Sequence, residues 1–140
     1  MKNEGITQII DLRNSAYLES PIEKFFCKLL GIKYNNCKYP HRLNKIPNSE
    51  FFTNINKLIL NNSGKTYIHC QYGKRRTGIS VAIYEKEHTS KSKAEILNNL
   101  VNFGYMEIKE KTNSYKIKKL QSILKDFIQK YYPEDLKSFD

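Results

Sequence analysis

The chain has no apolar run approaching the about 20 residues that cross a bilayer, and Met1 opens no charged-then-apolar leader pattern. A membrane-spanning helix and a secretory signal are therefore not expected, and a cytoplasmic protein is. Cysteine is scarce: Cys27, Cys37 and Cys70 cannot all pair, and their spacing matches no zinc site. Neither a metal nor any other cofactor is expected. Cys27 falls on the inner face of a predicted helix, whereas one role open to Cys37 is to trap an oxidised Cys70. Repeats and low-complexity segments are missing too, and 140 residues suit one domain over 1–140 and not two. A monomer is expected.

Arginine is the next scarcity. The formal charge is +10, yet arginine stands only at positions 13, 42, 75 and 76, with lysine as the default cation. The charge favours an anionic partner such as phosphorylated protein, inositol phosphate, nucleic acid or a membrane surface. The lysine, asparagine and isoleucine bias can equally reflect the coding sequence. Arginine is more telling, because its planar fork marks a demand for geometry that lysine does not meet.

What the chain does have is one concentrated stretch. Residues 69–78 read HCQYGKRRTG, after the strand-like run KTYIH at 65–69 and before a helical segment from Ile79 to His88. A tight loop between strand and helix turns its N–H groups inward, and the helix aims its positive end at the same spot. The result is a cradle for a phosphate. Cys70, at its base, feels that field, so its thiol is expected to ionise more readily than an ordinary one. Arg76 offers two phosphate oxygens a matching fork of donors. Gly73 permits positive φ and close backbone approach. Thr77 brings a hydroxyl able to stabilise the leaving thiolate, and Gly78 lets the helix start pack closely. Gln71, Tyr72, Gly73, Lys74 and Arg75 are the residues expected to meet the substrate.

The stretch resembles His-Cys-(X)5-Arg-(Ser/Thr)-Gly, the signature of the cysteine-dependent tyrosine and dual-specificity phosphatase superfamily, and every fixed position is present. The resemblance, closest to the small atypical dual-specificity type, implies a phosphocysteine mechanism with Cys70 as nucleophile and Arg76 as phosphate binder. It also implies that His69 holds the loop by a hydrogen bond to its backbone. The string IIDLR at 9–13 resembles the strand before the first helix in many such phosphatases. One feature departs from the family. Its members carry an aspartate some thirty residues before the cysteine to protonate the leaving group, whereas no aspartate lies between Asp11 and Cys70 here. His41, Glu50 and Asp11 are the candidates to replace it, with His41 first because imidazole titrates near neutrality and lies in the matching segment. A solvent-facing loop histidine remains the plain alternative.

In chain order, Ile6 to Leu12 reads as a buried parallel strand ending at Asp11 and Arg13, which can form an ion pair near the cradle. Ser20, Pro21 and Glu23 form a capping-box start for a helix from Pro21 to Leu30, with Phe25, Phe26, Leu29 and Leu30 facing inward and Gly31 closing it. Ile32 to Asn36 reads as a strand, and residues 38–47 as a polar loop. Asn48 or Ser49 caps a helix to about Leu60, with Phe51, Phe52, Ile55, Leu58 and Ile59 on one face. Ser92 and Glu95 repeat the capping box. Spacings of three and four from Ile117 to Tyr131 predict a last amphipathic helix packed on the domain. The expected fold is α/β: a mostly parallel sheet of about four strands flanked by helices, with the phosphate loop between strand and helix. The family's opening strand would precede Met1, so either a shortened start or a differently built sheet edge is expected.

Leaving-group chemistry orders the possible substrates. Without a proton donor, an anhydride should react faster than an aryl ester, and an aryl ester faster than an alkyl ester. Protein phosphotyrosine is the first expectation and a phosphoinositide or inositol (pyro)phosphate the alternative, since Lys74 and Arg75 add cations beside Arg76. An RNA 5′-triphosphate, or a phospho-ligand bound without turnover, ranks below these. No DNA partner is expected.

Overall fold

The computed structural model describes residues 2–14, 19–40, 46–71, 75–102 and 114–132. A short 3₁₀ turn at Lys2–Glu4 leads into β1 (Ile6–Asp11), followed by α1 (Glu19–Leu30), β2 (Lys33–Asn36), α2 (Ser49–Leu60) and β3 (Lys65–His69). Helices α3 (Arg75–His88), α4 (Lys93–Asn102) and α5 (Ser114–Tyr131) complete the order. The sheet is parallel, in the order β2-β1-β3, with three strands among the described residues.

The central strand β1 is buried on both faces, as expected of a parallel strand covered by helices. Alternation along it divides two sets of contacts. Ile10 and Leu12 pack with Ile55 of α2, while Ile9 packs with Cys27 of α1 and with Ile32. Gln8 shares the α2 side, where its amide donates to Leu58 O at 2.9 Å and to Thr66 Oγ1 at 3.0 Å. That satisfies a buried polar group that would otherwise destabilise the strand. Asp11 shares the α1 side and opposes His69 across the pairing with β3.

The largest apolar cluster lies among α2, α3, α4 and α5, and contains Phe52, Ile79, Ala82, Ile83, Ile96, Leu100, Ile123 and Phe127. Asn48 caps α2 by accepting from Phe51 N at 3.1 Å. Ser92 and Glu95 form the predicted reciprocal capping box at α4. At the end of α1, Gly31 takes φ 66°, and Ile32 N donates to Cys27 O while Gly31 N donates to Lys28 O. This left-handed ending is one that glycine adopts without strain.

Helix α1 contradicts two expectations. Phe25, Phe26, Leu29 and Leu30 do not face inward: they are exposed, and Cys27 is the buried apolar residue of the helix. The helix begins at Glu19, and its presumed capping pair is engaged elsewhere. Ser20 Oγ donates to Asp11 Oδ2 at 3.1 Å, and Glu23 contacts Arg13 and His69.

Candidate active site

The site lies at the C-terminal edge of the sheet. β3 ends at His69, Cys70 follows, and α3 opens at Arg75, so Arg76 sits in its first turn. Helix starts leave N–H groups without helical partners, and those of α3 open directly after the Cys70 loop. Cys70 is partly buried at the margin of the Ile10, Leu12 and Ile55 cluster, and it forms no disulfide. Gln71 is exposed, while Arg75, Arg76 and Thr77 are partly buried. Tyr72, Gly73 and Lys74 lie outside the described residues, as does His41.

Two hydroxyl side chains, Thr77 and Ser80, lie in the first turns of α3. Thr77 Oγ1 is buried and has no hydrogen-bond partner among the described residues. Ser80 Oγ donates to Arg76 O at 2.9 Å. At Gly78, a Cβ would come within 3.0 Å of Leu100 Cδ1, so the start of α3 packs tightly on α4.

Behind Cys70 runs a polar network that local sequence patterns do not reveal. His69 Nδ1 lies 3.2 Å from Cys70 O, and its Nε2 lies 2.8 Å from Glu23 Oε1. The latter is a close contact without the alignment of a hydrogen bond. Glu23 Oε2 accepts from Arg13 Nη2, and the same guanidinium donates Nε to Asp11 Oδ1 at 2.8 Å and Nη2 to Asp11 Oδ2 at 2.9 Å. Tyr34 Oη donates to Asp11 Oδ2 at 2.5 Å. The network thus ties β1, α1 and β2 to the residue that precedes the nucleophile candidate.

Burial alone would raise the Asp11 pKa, but the hydrogen bonds from Arg13 and Tyr34 outweigh it and bring the value down to about 2. Burial and the Asp11 contact push Tyr34 up to about 12. Asp11 is thus a buried anion at neutral pH with no proton to donate. The role of substitute general acid does not fit it, and that of ion-pair partner to Arg13 does. Glu50, the third candidate acid, is exposed in the first turn of α2.

Asp11, Glu23 and His69 each bring a metal-ligating atom within 4.8 Å of the others. Arg13 already spans both carboxylates and supplies the positive charge that a metal ion would bring. Burial, and the nearby Asp11 carboxylate, raise the pKa of Cys37. Cys37 and Cys70 both pack at the margin of the Ile10, Leu12 and Ile55 cluster, and neither forms a disulfide.

Sequence reasoning reached Asp11, Arg13, His69, Cys70 and Arg76, and missed the parts played by Glu23, Ser20 and Tyr34. The available signal was position. The start of a helix that follows a parallel strand lies at the same sheet edge as the loop after the neighbouring strand.

No protein-family model matches the chain, and no curated protein matches it by sequence. Solved structures do match it. The core catalytic domain of the PP-IP phosphatase SIW14 from S. cerevisiae superposes with TM-score 0.58 at 22% identity, over 91% of this chain and 77% of that one. A candidate phosphatase (DUF442) from Shewanella putrefaciens CN-32 gives 0.59 at 16% identity, over 93% and 78%. TpbA of P. aeruginosa gives 0.59 at 11% identity, over 86% and 67%. At these identities the likeness shows the fold alone: the chain shares the α/β architecture of these solved structures, a parallel sheet flanked by helices.

Proposed function

We propose that this chain is a phosphatase working through a phosphocysteine on Cys70, within one domain spanning residues 1–140. The observation that carries the reading is the junction of β3 and α3, with Cys70 at the end of the strand and Arg76 in the first turn of the helix. Cys70 Sγ attacks phosphorus, and the bond to the leaving oxygen breaks as the S–P bond forms. Arg76 and the free amides at the start of α3 hold the equatorial oxygens. Water then attacks phosphorus, the S–P bond breaks, inorganic phosphate leaves and the sulfur returns as thiolate. Thr77 Oγ1, buried without a described partner, is suited to donate to that thiolate. His69, held by Glu23, fixes the Cys70 carbonyl and so positions the loop.

The substrate reading follows from proton supply. Asp11, held as an anion by the hydrogen bonds of Arg13 and Tyr34, is poorly suited to donate a proton, so unless His41 or Glu50 takes that role the leaving oxygen draws its proton from solvent. Leaving groups that need little protonation are then favoured. Phosphate expelled from an anhydride meets that condition best, and a phenolate of pKa about 10 comes next. An inositol pyrophosphate therefore stands at least level with phosphotyrosine, and the likeness to the SIW14 phosphatase supports it.

A pre-steady-state burst of phenolate from an aryl phosphate, abolished in Cys70→Ser, is the expected result. Tight phosphate binding with no burst would make the chain a phospho-ligand binder. Matched assays should rank an inositol pyrophosphate and a phosphotyrosine peptide above a phosphoserine peptide. Equal rates on alkyl and aryl esters would overturn that ordering and identify a proton donor.

A further inference from the structure

The face of α1 turned away from the sheet is apolar and bare. Ile22, Phe25, Phe26 and Leu29, at helical spacings of three and four, are 54%, 59%, 54% and 66% exposed. The rings of Phe25 and Phe26 meet each other edge to face, with centroids 5.8 Å apart. Apolar side chains arranged as one stripe on a helix need cover in a way that scattered ones do not.

The charges around the stripe identify the cover. Lys24 and Lys28 on α1 and Lys33 on β2 are all exposed. Of the two acidic residues of α1, Glu19 stands at the first position of the helix, and Glu23 turns its carboxylate inward onto Arg13 and His69, so it does not offset the lysines. The chain as a whole carries a formal +10. A second copy laid on this face would bring like lysines and another +10 against the first. No described helix is long and apolar enough to cross a membrane. An apolar stripe flanked by lysines, on a strongly basic chain, is the pattern of a helix lying in the headgroup region of an anionic bilayer.

We propose that α1 docks this protein on anionic lipid surfaces, with Phe25 and Phe26 inserted among the acyl chains and Lys24, Lys28 and Lys33 at the headgroups. Each half of the device is weak alone, as with single membrane signals generally, and the two together give binding that depends on lipid charge. The proposal does not depend on the phosphatase reading, because the docking face contains no residue of the candidate site.

Vesicle co-sedimentation tests it with the full chain. The probes are phosphatidylcholine vesicles with and without about 30% phosphatidylserine, an anionic fraction that attracts basic segments. The wild-type chain should pellet with the anionic vesicles and stay in solution with the neutral ones. The double variant Phe25→Ser/Phe26→Ser should lose about tenfold in binding, and Lys24→Gln/Lys28→Gln should lose binding while removing part of its salt dependence. Because these side chains are exposed, thermal melts of both variants should match the wild type, separating lost docking from lost folding. Three results would overturn the proposal. One is a wild-type chain that ignores both vesicle types, and another is unchanged binding by the phenylalanine variant. The third is a concentration-dependent dimer that the phenylalanine substitutions dissolve, which would make a second copy the cover.

Discussion

Helices α1 and α2 are each twelve residues long, each follows a strand or loop leading off the sheet, and each carries an apolar stripe with a pair of adjacent phenylalanines. In α2 the stripe is packed: Phe52 and Ile55 are buried, and Phe51 stacks edge to face on Tyr39 and Phe52. In α1 the stripe is turned out, and the sheet side is held by Cys27 and a set of hydrogen-bonded polar groups at the helix start. Amphipathicity thus establishes that a stripe exists and not which way it faces. Orientation goes to whichever side satisfies the costlier groups. Leaving Asp11 buried without donors would cost more than leaving phenylalanines in water.

The largest effect expected from this contrast is on stability. Phe52→Ala should destabilise the fold by about 3–5 kcal/mol, because it opens a cavity in the main cluster. Phe25→Ala should stay within about 0.5 kcal/mol of wild type, the range of substitutions at exposed positions without special contacts. Urea unfolding of the two variants side by side would check this. Comparable losses would mean that the α1 stripe is packed in the folded chain.

Much of the fold was legible because its signals are local. The strands at β1 and β3, the start of α2, the left-handed ending at Gly31 and the capping box at Ser92 and Glu95 all follow from neighbours in sequence. The same reasoning failed at Ser20 and Glu23, which carry the same Ser-x-x-Glu pattern as Ser92 and Glu95. At α4 the pair closes on itself, because nothing else competes for it. At α1 the Asp11 carboxylate and the Arg13 guanidinium stand within reach, and charged partners win over a neutral cap. Cys70, Arg76 and His69 were legible from one contiguous motif. Glu23 and Tyr34 were not, since they reach the site from other elements and are brought there only by the order of the strands.

The polar anchor of α1 should fail in acid, where the apolar anchor of α2 does not. The Asp11 pKa is depressed from its ordinary 3.8 to about 2 in the folded chain. Its stabilisation is therefore fully present above the unfolded value and is lost as pH falls through about 2. The shift corresponds to about 2 kcal/mol. Unfolding free energies of wild type and Asp11→Asn, measured from neutral pH down to the acid limb, should differ most above pH 4 and converge toward pH 2. A gap that stays constant across that range would assign the stabilisation to packing rather than to the carboxylate.

The smallest effect separates the two helix starts. Asn48 accepts from Phe51 N as a true cap of α2, so Asn48→Ala should cost about 1 kcal/mol. Neither partner titrates in acid, so that loss should be the same at neutral and acid pH. Ser20 Oγ donates instead to the Asp11 carboxylate, and Ser20→Ala should also cost about 1 kcal/mol at neutral pH. Protonating Asp11 weakens that acceptor, so the cost of Ser20→Ala should shrink as pH approaches 2 while that of Asn48→Ala holds. Parallel pH profiles for the two variants would restore Ser20 to an ordinary cap and leave α1 anchored by its apolar contacts alone.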